Sequence, residues 1–112
     1  MHGGCWLMLQ ADPSNGPGRY VDFMGVSSTT QDSSGAPVAA TVFCQVEIDG
    51  IPTPSSDYTA SGTGSQSGGK PDAFYADATA VITLCQQVTF SGGTPLPRTC
   101  KTVAVGYTPP PP

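Results

Sequence analysis

The residues with the most constrained chemistry in this chain are its four cysteines, Cys5, Cys44, Cys85 and Cys100. None forms a Cys-x-x-Cys pair, and the single histidine, His2, stands at the very start, so the spacing fits no zinc site. An even set of widely separated cysteines reads instead as two disulfides made in an oxidising compartment. Nucleophilic catalysis of the Ser-His-Asp or Cys-His kind needs a histidine that the body of the chain lacks, and His2 itself reads as a start or tag residue. Glu47 and Asp49 do not make a glycosidase pair, because both are expected on or near the exposed face of one hairpin. Asp12 with Asn15, and Asp72 with Asp77, supply oxygens but reproduce no calcium-loop pattern, and they read as turn chemistry. The expectation is a protein that is not an enzyme and that carries no metal or cofactor.

Composition narrows the partners. At 112 residues the chain is one domain, long enough to bury about two-thirds of its unfolded surface. Its net charge is -4, with only four cations (Arg19, Lys70, Arg98 and Lys101), which argues against nucleic acid or an anionic membrane surface as a partner. No stretch is long and apolar enough to insert in a membrane as a helix. Residues 1–4 read as an added or truncated start, and the apolar run at 5–9 is too short for a signal-peptide core, so an export signal is expected outside the sequence.

The elements that must position the cysteines are strands. Residues 78–107 contain the clearest hairpin: Val81, Ile82, Thr83, Val88, Thr89 and Phe90 suit a pleated surface, and Val103 and Val105 lie on the return. Gly92 and Gly93 provide the positive φ angles of a tight turn. Folding there sets Phe90 opposite Pro95, Val88 opposite Pro97, and Cys85 opposite Cys100. A hydrogen-bonded cross-strand pair holds its Cα atoms about 5.5 Å apart, within disulfide range. The prolines require the 95–100 segment to lie on an edge or carry a bulge.

Upstream, residues 5–9 (CWLML) read as a buried first strand, and 11–18 as a loop. In 19–26 the Val21 and Phe23 side is expected in the core. Residues 38–48 alternate, with Val42, Cys44, Val46 and Ile48 on one face and Phe43, Gln45 and Glu47 on the other. Asp49 and Gly50 then make a turn. The segment from Cys44, CQVEIDGIPTP, echoes that from Cys85, CQQVTFSGGTPLP, which would make the two cysteine-bearing strands equivalent. A short strand is expected at 58–62, a flexible loop tip at 63–72, and one helical turn at 72–78 capped by Asp72. Residues 108–112 read as a stiff proline-rich tail or linker after a domain spanning 5–107.

Six or seven short strands, with a cysteine in the third and another in the penultimate one, resemble an immunoglobulin-like antiparallel β-sandwich of about seven strands with two disulfides. The antibody core Trp and the Tyr two positions before the second strand cysteine are absent, Thr83 occupying the latter place. That resemblance implies Cys44 joined to Cys85 across the sheets and Cys5 joined to Cys100. The alternative pairs Cys85 with Cys100 and Cys5 with Cys44. The segments ASGTGSQSGG, ATAVITLCQQVTFSGGT and PRTCKTV also resemble small secreted or surface proteins of actinobacteria with no assigned function.

The candidate binding residues lie in two turns rich in glycine and proline: Asp49, Ile51, Pro52 and Pro54 in one, and Gly92, Gly93, Leu96 and Arg98 in the other. In a sandwich both are expected at one end, stiff enough to lose little entropy on binding. The function expected is a non-enzymatic, secreted or cell-surface recognition module for a protein or carbohydrate ligand. Two alternatives stand beside it. One is a structural subunit or decoration domain of a surface fibre or virion, joined by strand addition. The other is a small-molecule carrier or inhibitor, for which enediyne-carrier apoproteins offer the size and architecture but close their bridges over shorter loops.

Overall fold

A computed structural model describes residues 1–11, 19–71, 75–77 and 79–108. Nine strands form two antiparallel sheets, and no helix occurs among the described residues. One sheet has the order β5 (Ser65–Pro71), β2 (Arg19–Thr29), β1 (His2–Ala11), β9 (Gly106–Thr108), with β6 (Tyr75–Ala76) paired to the start of β2. The other has the order β4 (Ile51–Thr63), β3 (Ala39–Ile48), β7 (Ile82–Phe90), β8 (Thr99–Thr102).

The period-two patterning explains the core. Cys5, Leu7 and Leu9 of β1, with Val21, Met24 and Val26 of β2, face Val42, Cys44 and Val46 of β3 and Ile82, Leu84 and Val88 of β7, all buried. In β2 the expected phase fails at Phe23, which is 39% exposed while Val21 is fully buried. The cause is a bulge: Met8 pairs with Phe23 but Leu9 pairs with Val21, so Asp22 is an extra residue and the side chains beyond it change face.

β3 alternates as its sequence implies, and its turn is the primed two-residue type, with Asp49 at φ 54° and Gly50 at φ 80° between the paired residues Ile48 and Ile51. The short strand expected at 58–62 is a thirteen-residue one, with Pro52 and Pro54 tolerated because β4 is an edge. Where a loop tip was expected at 63–72, the chain turns at Gly64 (φ 82°) and crosses to the other sheet as β5. Gln66 drives this, being buried on β5 with its amide donating to Thr30 Oγ1 (2.9 Å) and Gly62 O (3.0 Å) and accepting from Ser28 Oγ (2.6 Å). At Gly68 the Tyr58 hydroxyl occupies the space a Cβ would need. Of the helical turn expected at 72–78, Tyr75 and Ala76 form β6, and residues 72–74 and 78 lie outside the described residues, as do the 12–18 loop and most of the proline tail.

The disulfides follow the alternative pairing. Cys5 joins Cys44 across the core, with Cα atoms 5.9 Å apart, and Cys85 joins Cys100, with Cα atoms 4.1 Å apart on neighbouring strands. The Cys44 to Cys85 pairing fails for a geometric reason. β3 and β7 are antiparallel neighbours in which Cys44 pairs with Gln86 and Cys85 pairs with Gln45. The two cysteines therefore point to opposite faces of one sheet. The sequence echo between their strands is one residue out of phase, so those positions are not equivalent.

Candidate recognition surface

Among the described residues no group of three or more His, Cys, Asp or Glu side chains converges in a way that could hold a metal ion. Asp12, Asn15 and Asp72 lie outside them. Glu47 is held instead by Arg98, whose Nη1 lies 2.8 Å from Glu47 Oε2 while Nη2 donates to Gln45 Oε1 at 3.0 Å. Arg98 thus reaches from the β8 side across β7 to β3, and its Nη1 also stands 3.6 Å from Cys100 Sγ. It belongs to a cross-strand network over the second disulfide and not to a loop tip.

The two turns do not share an end. Ile48 pairs with Ile82 at one end of the sheet, and Ala40 pairs with Phe90 at the other, so the turn after β3 and the turn after β7 lie a full strand length apart. Antiparallel neighbours necessarily send their following turns in opposite directions. At the first end Ile51 is 69% exposed, and Asp49 Oδ1 accepts the Val81 amide (2.9 Å), fixing the turn against the start of β7. At the second, Gly93 N donates to Phe90 O (2.9 Å), which centres the turn on Ser91 and Gly92. Of the two glycines only Gly92 takes positive φ, at 76°. Beside it Thr41, Ser61, Thr89, Ser91 and Gly92 help to line a hollow of about 310 Å³ on the hydroxyl-rich end of the sheet.

The return segment slips by one residue. Leu96 N donates to Val88 O (2.8 Å) and Thr89 bridges to Pro95, whereas Cys85 pairs with Cys100 in the expected register. Leu96 and Pro97 consequently lie near Gln86 and Val88, around a second hollow of about 150 Å³.

A more coherent surface lies on the outer face of the β1 sheet. Trp6 stacks on Phe23 with ring centroids 5.3 Å apart and planes 9° from parallel, and Tyr107 lies 6.4 Å from Trp6 on the other side. Three strands contribute one ring each. Gly69 lies under the Phe23 ring, where a Cβ would collide with it, and Gly25, paired with Trp6, lets the Gly68 and Gly69 backbone approach closely. Phe23 and Tyr107 are 39% and 58% exposed. Residue-by-residue reading missed this row because its members are distant in sequence and the bulge reverses Phe23. The only signal was the second face of the wholly apolar run at 5–9. No protein-family model, curated protein or solved structure matches the chain.

Proposed function

We propose that the chain is an immunoglobulin-like sandwich that works as a non-enzymatic, secreted or cell-surface recognition module. The strand orders support the fold assignment. With β1, β2, β3, β4, β5, β7 and β8 taken as strands A, B, C, C′, E, F and G, the sheets become A-B-E and C′-C-F-G, and β9 is an added edge beside A. Two disulfides fit an oxidising compartment, in keeping with export.

The observation that carries the reading is the Trp6, Phe23 and Tyr107 row, solvent-facing on a chain with few charges. Aromatic side chains bring large apolar area with little entropy to lose, which is why they anchor interfaces with proteins and with the apolar faces of sugars. The Gly/Pro turns, at opposite ends, do not combine into one surface with it.

Trp6 is the only tryptophan, so its emission reports the row directly. Titration with a panel of oligosaccharides and extracellular matrix proteins should find a ligand that shifts this emission saturably. Tyr107→Ala should then weaken binding at least tenfold, about 1.4 kcal/mol or more, while Ile51→Ser leaves it unchanged. Equal affinity in the Tyr107→Ala variant, or a panel without a single binder, rejects the reading.

A further inference from the structure

Beside the aromatic row, the edge of β1 changes character. β9 pairs only with Leu7, Met8 and Leu9, so the same edge over residues 2–6 has no strand alongside it among the described residues. Met1, immediately before β1, helps to bound the hollow of about 150 Å³ together with Gln86, Val88, Leu96, Pro97 and Thr99.

Gln86 is the unusual member. It is 6% exposed, and its Oε1 accepts the Cys5 backbone N–H at 2.8 Å. That bond fixes which end of the carboxamide is which, because only the oxygen accepts. The Nε2 amide at the other end donates to no described residue, although leaving a buried donor unpaired is unfavourable. Gly4 makes the arrangement possible: a Cβ there would come within 2.2 Å of Gln86 Oε1, and its φ of 149° favours glycine. The carboxamide therefore takes the place of a peptide unit at this stretch of the β1 edge, receiving the donor of β1 and presenting its own.

We propose that this flank binds an extended peptide segment of a partner, with one backbone carbonyl accepting Gln86 Nε2–H and an adjacent apolar side chain seated among Val88, Leu96 and Pro97. Successive residues of an extended segment point to opposite faces. The next side chain accordingly lies toward Trp6 on the outer surface, in line with β9. The inference rests on the recognition-module reading and names its partner class.

The probe is a set of capped heptapeptides, Thr-Xaa-Thr-Xaa-Thr-Xaa-Thr, with Xaa as Val, Leu, Phe or Asp, titrated into the full chain and followed by ¹H–¹⁵N NMR. The apolar peptides should shift the Gln86 side-chain amide and the Gly3, Gly4 and Leu96 amides saturably, and the Asp peptide should not. Gln86→Glu keeps an acceptor for Cys5 and removes the donor, so it should lose at least tenfold in affinity with the spectrum of the fold retained. Leu96→Ala should weaken the Leu and Phe peptides at least fivefold.

Unchanged affinity in both variants overturns the proposal, as does a panel in which no apolar peptide binds. Binding seen only after removal of residues 109–112 would assign the flank to the chain's own prolines. The same amides shifting with protein concentration and no peptide would assign it to a second copy. Either result overturns the partner assignment. A saccharide that shifts Trp6 and Tyr107 resonances, with none of the peptides binding, rejects this inference and leaves the recognition reading intact.

Discussion

Single side chains set much of the local geometry. Asp32, in the connection between β2 and β3, accepts the Ser34 hydroxyl (2.6 Å) and the amides of Ser34 (2.8 Å) and Ala36 (3.0 Å). These bonds, the Ser34 hydroxyl foremost, favour the ionised carboxylate and hold its pKa below the ordinary 3.8. The sign follows from linkage: a group with a depressed folded pKa contributes stability that is fully present above the unfolded value and lost as pH falls through the folded one. A carboxyl NMR titration should find the Asp32 midpoint below 3.8. In Asp32→Ala the Ser34 and Ala36 amides should exchange faster with solvent at neutral pH. An ordinary midpoint, or unchanged exchange, would count against the turn as described. Bonds of this kind join close neighbours in sequence, whereas the burial of Gln66, in a strand of Gly and Ser, gives no sign until its partners on other strands are known, and for Gln86 alternation with Ile82, Leu84 and Val88 indicates the buried face but not the partner.

At the scale of elements the two cross-links act differently. Cys5 to Cys44 closes a 39-residue separation and ties the sheets together, while Cys85 to Cys100 closes 15 residues and pins a four-residue edge strand. By the chain-entropy model they contribute about 4 and about 3 kcal/mol. Replacing Cys5 and Cys44 by Ala should lower the urea midpoint more than replacing Cys85 and Cys100, and hydrogen exchange in the latter variant should rise mainly in β8. The reverse order would mean that sheet-to-sheet packing does not depend on the core bridge. The register that paired Cys85 with Cys100 was legible because a hairpin is local and its count runs out from one turn. The competing pairing came from architectural likeness, and it failed because strand order says nothing about which face a cysteine occupies. Phase was lost in the same way at Phe23, where a single bulged residue reversed the alternation, and at residues 65–71, where Gly and Ser composition hid a strand supported by a side-chain network in place of apolar burial.

For the whole molecule, the strand content, the two-layer core and the oxidised cysteines follow from alternation, turn dipeptides and cysteine count, all visible in one dimension. The aromatic row and the Gln86 flank were not, because each assembles residues from separate strands. The fold also treats its two long sides unequally. Lys70 crosses from one sheet to the other and donates through Nζ to Ser55 O (2.6 Å) and Asp57 O (3.0 Å) of β4. An outlying strand offers unpaired backbone groups as a template for its neighbours, and here two acceptors are already engaged by a single ammonium. Neutralising that ammonium by acetylation should release them. Light scattering after Lys70→Gln or mild acetylation should then record growth of higher-order species, whereas Lys101→Gln stays monodisperse. One cation thus makes a stretch of the β4 border a poor template for a further strand, a protection that would disappear with its charge.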